Sequence, residues 1–213
     1  MLKEPRKFHG AIFVGTAILT AILCEQSLAR QSGGGKSTDN KPCGIVYGES
    51  HALTICAPKG WELDNSILNE QGIYAAFYPT GSTWNRAKDS GTVMYINTLG
   101  KGGGNENIAE SMKGDEERTK KQAPLVKTAE VERIKTPDGD ARVQQFEHSM
   151  YDRFEAVAYL DSPKIIILFV MTSKDSKSFQ RDYPAFQELV KSYKFLSSTV
   201  TFSSHQGDRW SFP

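Results

Sequence analysis

The sequence predicts an α+β domain folded as a three-layer α/β/α sandwich, in which a mostly antiparallel central sheet lies between helices. Several short strand patterns follow one another with turn residues between them. An unbroken, β-branched apolar run at 165–170 is typical of a strand that is covered on both faces. Two helical patterns are available to cover it. The formal net charge is +1, with acidic and basic residues interleaved, so no nucleic-acid partner is expected.

The amino-terminal segment has the organisation of an export signal. Three basic residues precede an uncharged apolar run at 10–24, and the small residues Ser27 and Ala29 stand where a signal peptidase reads the chain. The run is shorter than the roughly 20 residues that span a bilayer. We therefore predict a signal peptide at 1–29 and a periplasmic or secreted protein. An uncleaved anchor stays open as an alternative, with membrane contact through this segment alone.

Residues 30–42 are rich in Ser, Gly, Lys and Asn, without an apolar residue that could anchor them, and are predicted to be a disordered leader. The glycines at 33–35 precede Lys36 and Ser37, but the first glycine of a phosphate-binding loop and its preceding strand are missing. The folded domain is expected at 43–196, and 197–213 is expected to be a polar carboxy-terminal tail.

Two cysteines remain once the signal is removed, and they are predicted to form a disulfide. Two cysteines in an exported chain favour a disulfide bond, because oxidising compartments allow such bonds to form and persist. β-rich segments on either side of a turn at 48–51 also predict a hairpin. In its simplest register Cys43 lies directly opposite Cys56, near bridging distance. The same register places Val46, Leu53 and Ile55 on the core face.

Strands occupy most of the chain after the hairpin. The segment from Pro58 to Trp61 turns the chain, and the pattern at 72–78 is a strand that Pro79 ends. Further strands are predicted at 92–99, 126–135, 142–148, 154–160 and 164–171, with a Pro-Asp-Gly turn after the second of these.

Two helices are predicted to cover the sheet. The first, at 105–122, is polar and has only Ile108 and Met112 as an apolar stripe. The second is expected to begin at Asp182 as its cap, with Pro184 in the first turn. Its apolar face consists of Phe186, Leu189, Val190 and Tyr193. Residues 80–90 are expected to form a polar loop that carries Trp84.

The order of several packing motifs resembles the PsbP-like family, the α/β/α sandwich of the photosystem II extrinsic protein that is shared with a Ran-binding transport factor and with exported bacterial proteins. The matching motifs are Pro58-x-Gly60-Trp61, Ala76-Phe77-Tyr78-Pro79, Val157-Ala158-Tyr159 before an apolar strand, and Ala185-Phe186-x-x-Leu189-Val190-x-Ser192-Tyr193. They extend over 44–196. The resemblance implies a non-enzymatic binding or assembly module with no shared catalytic residues, and it does not transfer a photosynthetic role.

Two groups of residues are candidate sites. Amphipathic aromatic side chains on or between neighbouring strands suit a ligand or partner surface, and they are also ordinary residues of a core edge; they are Tyr74, Tyr78, Trp84 and Tyr95. The second candidate is a glycine-rich loop between a strand and a helix, where free N–H groups beside a lysine can hold an anion; it consists of Lys101, Gly102, Gly103 and Gly104. Glu106 would oppose an anion there, and a flexible loop is the simpler interpretation.

No catalytic residue is predicted, because the sequence has no nucleophile elbow and no pair of histidines with metal-ligand spacing. No metal or cofactor is expected. The leading prediction is an exported, non-catalytic binding or assembly module for an unidentified protein or small-molecule partner. Two alternatives stay open: a small secreted or periplasmic hydrolase with an unrecognised site, and a structural component of the envelope.

Overall fold

The computed structural model describes residues 42–48, 51–66 and 72–199. The predicted signal peptide, all of the leader except Pro42, and the tail from residue 200 onward lie outside this range. No helix within the described range is both long enough and apolar enough to cross a membrane.

The strands form two sheets in which every pair is antiparallel. The small sheet has three strands, β1 (Cys43–Gly48), β2 (His51–Cys56) and β10 (Lys194–Ser197). The large sheet has seven, which are β3 (Trp61–Asp64), β4 (Ala75–Pro79), β5 (Thr92–Gly100), β6 (Lys127–Thr136), β7 (Gly139–Glu147), β8 (Phe154–Asp161) and β9 (Ile165–Ser173). The strand orders are β1-β2-β10 and β3-β4-β5-β9-β8-β7-β6. In this order β9 is the central strand of the large sheet.

Three α-helices accompany the sheets in the described part of the chain: α1 (Trp84–Ser90), α2 (Ile108–Gln122) and α3 (Ser176–Lys191). On the central strand β9, Ile167 and Phe169 belong to the core that contains α3 and the small sheet. The alternate residues Ile166 and Leu168 belong to the core beneath α2. Because every residue of β9 is buried, the apolar run is covered on both faces, and the predicted three-layer sandwich is confirmed.

The helix α3 begins earlier than predicted. Its cap is Asp175, whose carboxylate accepts a hydrogen bond from the Ser178 backbone N–H at 2.8 Å. The predicted cap, Asp182, instead accepts hydrogen bonds from Arg181. Pro184 lies in the helix interior. The expected start was wrong because Asp175 is an equally good cap, and Phe179 extends the buried face by two turns.

Two short strands and one short α-helix of the described ranges were not predicted. The expected polar loop at 80–90 contains α1, which Thr83 caps by accepting from the Arg86 backbone N–H. Residues 61–64 form β3 where only a turn was expected, and β10 closes the small sheet against β2. These elements have four to seven residues, too few for a periodic pattern to be recognised in the sequence.

Candidate functional site

The predicted disulfide is present and links the two strands of the first hairpin. Cys43 and Cys56 are direct partners in the antiparallel register, and their sulfur atoms are bonded. The hydroxyl group of Ser192 accepts a hydrogen bond from the Cys56 backbone N–H at 3.0 Å. This hydrogen bond joins the hairpin to the end of α3. The disulfide therefore lies where the hairpin meets the rest of the fold.

The predicted aromatic residues lie mainly inside the protein. Tyr78 and Trp84 are 9% and 8% exposed, in a cluster under α1. The phenol of Tyr78 donates a hydrogen bond to the Asp64 carboxylate at 3.0 Å. Tyr95 contacts Trp84 edge to face and also lines a cleft beside α2. Tyr74 packs against the core on the α3 side. The structure thus groups three of the four rings and leaves little of Tyr78 and Trp84 accessible.

The glycine-rich loop connects β5 to α2. Gly102, Gly103 and Gly104 all have positive φ angles, which glycine adopts at little cost. The ammonium group of Lys101 pairs with the Asp161 carboxylate at 2.6 Å. This pairing turns the lysine toward β8. The start of α2 is capped by its own Asn107, which accepts from the Glu110 backbone N–H. Anion binding by this loop stays a prediction.

An exposed apolar surface, which the sequence did not indicate, is built from two neighbouring connections. We call it the Tyr151 surface; it comprises residues 122–125, at the end of α2 and just after it, residues 148–152, between β7 and β8, and Lys127. Tyr151 is 90% exposed, Leu125 is 85% exposed and Met150 is 44% exposed. Together they line a shallow depression of about 700 Å³.

The backbone beneath the Tyr151 surface is strained. His148, Tyr151 and Asp152 have φ angles of 57°, 59° and 56°. Non-glycine residues are uncommon in this left-handed region, which costs roughly 1–2 kcal/mol per residue, and a bulky side chain such as tyrosine is rarer there than Asp or His. The connection is held by a hydrogen bond from the Ser149 backbone N–H to the Arg153 carbonyl oxygen at 2.9 Å.

Side chains reinforce this conformation. The His148 ring nitrogen Nδ1 lies 2.5 Å from a carboxylate oxygen of Asp152, and Val126, between α2 and β6, is buried in the core beneath that helix. The exposed residues of the Tyr151 surface are therefore flanked by one close polar contact and by a buried valine. Nowhere in the described ranges are three His, Cys, Asp or Glu side chains close enough together to hold a metal ion.

No protein-family model matches the chain, and a comparison of its sequence with curated proteins finds no match. Solved structures are similar at low sequence identity. The cyanobacterial PsbP (CyanoP) of Synechocystis sp. PCC 6803 is 10% identical, with a TM-score of 0.49 over 78% of this chain and 98% of that one. The Saccharomyces cerevisiae Ran-binding protein Mog1p is 9% identical, with a TM-score of 0.46 over 74% of this chain and 96% of that one.

A Pseudomonas aeruginosa protein of unknown function is 15% identical, with a TM-score of 0.43 over 70% of this chain and 94% of that one. At these identities the similarity concerns the fold alone. A PsbP and a Ran-binding protein are thus among the similar structures, and nothing about the activity of this chain follows from them.

Proposed function

We propose that this chain is an exported, non-catalytic module that binds a partner protein outside the cytoplasm through the Tyr151 surface. The observation that carries the proposal is the combination of strain and exposure at one residue. Tyr151 has a left-handed backbone and is nevertheless almost fully exposed. Strained backbone persists where the surrounding structure enforces it, and such positions cluster at functional sites.

The chemistry of the Tyr151 surface favours a protein partner with an apolar anchor. Tyr151, Leu125 and Met150 form an apolar centre, and exposed tyrosine is enriched among the residues that dominate protein interfaces. The rim carries both charges, because Lys127 and the exposed carboxylate of Asp152 both line the depression. A complementary segment would present an aromatic or aliphatic side chain between polar groups.

Export is supported by two features of the chain. The order of basic, apolar and small residues in the first 29 positions is that of a signal peptide. The bond between Cys43 and Cys56 is of a kind that persists in oxidising compartments and is rare in the cytosol.

Replacing Tyr151 with alanine is expected to weaken partner binding by about 30-fold, the loss typical of a central aromatic anchor. The partner is first identified with a photo-crosslinking amino acid in place of Tyr151, in cells that export the protein. The affinity of the purified pair is then measured by isothermal titration calorimetry.

The matched control is Tyr47→Ala, because Tyr47 is also an exposed tyrosine (41%) but lies on β1. This variant should bind with unchanged affinity. The proposal is contradicted if crosslinkers at Tyr151 and Tyr47 capture the same proteins, or if both alanine variants bind the partner equally well.

Replacing Tyr151 with glycine is expected to raise the free energy of unfolding by about 0.5–1 kcal/mol. Glycine adopts the left-handed conformation with little strain, and its greater conformational entropy in the unfolded chain offsets part of this gain. Partner binding should be lost in the same variant. Urea denaturation followed by circular dichroism measures the first effect. The control Tyr47→Gly, in an extended strand, should be less stable than the wild type. A similar loss at both positions would show that Tyr151 is not strained.

A further inference from the structure

A second cleft lies between α2 and the large sheet and has a volume of about 260 Å³. Its floor is mainly apolar and aromatic, with Tyr95, Val157 and Leu168 among the lining residues. Its α2 side is polar, because the helix contributes Asp115 and Arg118. The α2 cleft therefore combines a surface for an apolar body with charged groups above it, as small-molecule sites commonly do.

Glu155 is the charged residue on the floor of the α2 cleft. It lies on β8 and is partly buried, and this burial raises its pKa above the ordinary value. The Ser149 and Thr172 hydroxyl groups stand close enough to offset part of this effect. Both hydroxyl groups are buried. The Glu155 carboxyl group is thus partly removed from solvent, with two hydroxyl groups beside it that lower its pKa.

The cations near the α2 cleft make their direct contacts with other groups. Arg118 pairs with the Asp115 carboxylate, which also accepts a hydrogen bond from the Tyr159 phenol at 2.7 Å. Arg153 donates a hydrogen bond to the Lys88 carbonyl oxygen at 2.8 Å, and its charge attracts Glu155 and lowers the pKa of that carboxyl group. Within the described ranges neither cation forms a salt bridge with Glu155, so its carboxylate is open to a direct ion pair with a ligand.

We infer that the α2 cleft binds a small molecule that has an apolar body and a cationic amino group, with the amino group paired to the Glu155 carboxylate. A buried ion pair of this kind forms favourably only when hydrogen bonds accompany it, and an ammonium group has three donors to offer. The cleft is smaller than the pockets that hold drug-sized ligands. A single ring or a short chain fits its size. An anionic ligand would be repelled by Glu155.

Three probes with the same ring and different head groups test this inference: phenethylamine, phenethyl alcohol and phenylacetate. Binding to the purified protein is followed by NMR titration of the backbone amides. We expect the amine to shift the amides of Tyr95, Glu155 and Val157, and to bind about tenfold or more tightly than the alcohol, because charge-assisted hydrogen bonds are about twice as strong as neutral ones. Phenylacetate should bind most weakly.

The inference is overturned if the amine binds no better than the acid, if its shifts fall outside the α2 cleft, or if it does not bind up to its solubility limit. This comparison needs no variant, so it does not depend on the folding of one. Met150 lines both the Tyr151 surface and the α2 cleft, but Tyr151 does not line the cleft, so Tyr151→Ala should leave the response to the three probes intact.

A matched pair of substitutions then assigns the preference to one carboxyl group. Glu155→Gln should remove the preference for the amine over the alcohol. Glu117→Gln removes the same charge from the exposed side of α2, outside the α2 cleft, and should leave the preference intact. A third variant, Thr119→Trp, places a large side chain among the lining residues and should weaken all three probes. Equal behaviour of the two glutamine variants would contradict the assignment to Glu155.

Discussion

Replacing Trp84 with alanine is expected to lower the free energy of unfolding by about 3–5 kcal/mol. The indole lies between α1 and the sheet, is 8% exposed, and meets the Tyr95 ring edge to face at 6.2 Å between centroids. Its removal leaves a cavity and takes away the largest buried side chain of α1, in which Ala87 is the other buried residue. Urea denaturation followed by tryptophan fluorescence and circular dichroism measures the change.

The suitable comparison is Tyr151→Ala, which truncates an exposed aromatic side chain and should change the stability by no more than about 0.5 kcal/mol. The sequence alone made Trp84 a candidate for partner contact. If Trp84→Ala unfolds at the same urea concentration as the wild type, the indole is not a packing residue, and the aromatic cluster under α1 returns as a candidate surface.

Removing the disulfide with the double substitution Cys43→Ser/Cys56→Ser is expected to lower the free energy of unfolding by about 3 kcal/mol. The bridge closes a short loop, since the two cysteines are 13 residues apart, and a loop of this length restricts the unfolded chain by about that amount in the chain-entropy model. Equilibrium denaturation in urea, with and without a reductant, provides the measurement.

The wild type under reducing conditions is the matched control, because it loses the bridge and keeps both side chains. It should approach the stability of the double variant, and the reductant should have no effect on the variant itself. If the reduced wild type is as stable as the oxidised protein, the bridge does not stabilise the fold.

The predictable parts of this fold are those in which a local pattern and the tertiary environment agree. The apolar run of β9 is long enough to specify a strand buried on both faces. The first hairpin could be derived to the register, because the two cysteines and the alternation of Val46, Leu53 and Ile55 require the same pairing.

The remaining parts depend on contacts that no local pattern reveals. The helix α1 is stabilised by the burial of Trp84 and Ala87 against distant strands, so its sequence resembles a polar loop. The Tyr151 surface is still less accessible to sequence reasoning, since residues 148–152 contain no glycine to indicate left-handed backbone. Glu155 likewise lies opposite Thr172 only because of the register in which β8 and β9 pair, which no local pattern reveals. The candidate sites therefore became visible only in the structure.

The small sheet also determines the order in which a chain that emerges amino end first can complete its fold. The hairpin of β1 and β2 is local, so it can close and oxidise early. The other edge of β2 stays unpaired until β10 has been synthesised, because β10 follows α3 near the end of the fold. Cys56 and Ser192, which join the hairpin to the end of α3, are 136 residues apart. Until the last strand arrives, β2 presents an unpaired edge that other chains can join. This interval of vectorial folding is when the protein is most exposed to aggregation, and when a chaperone that recognises extended chains has most to protect.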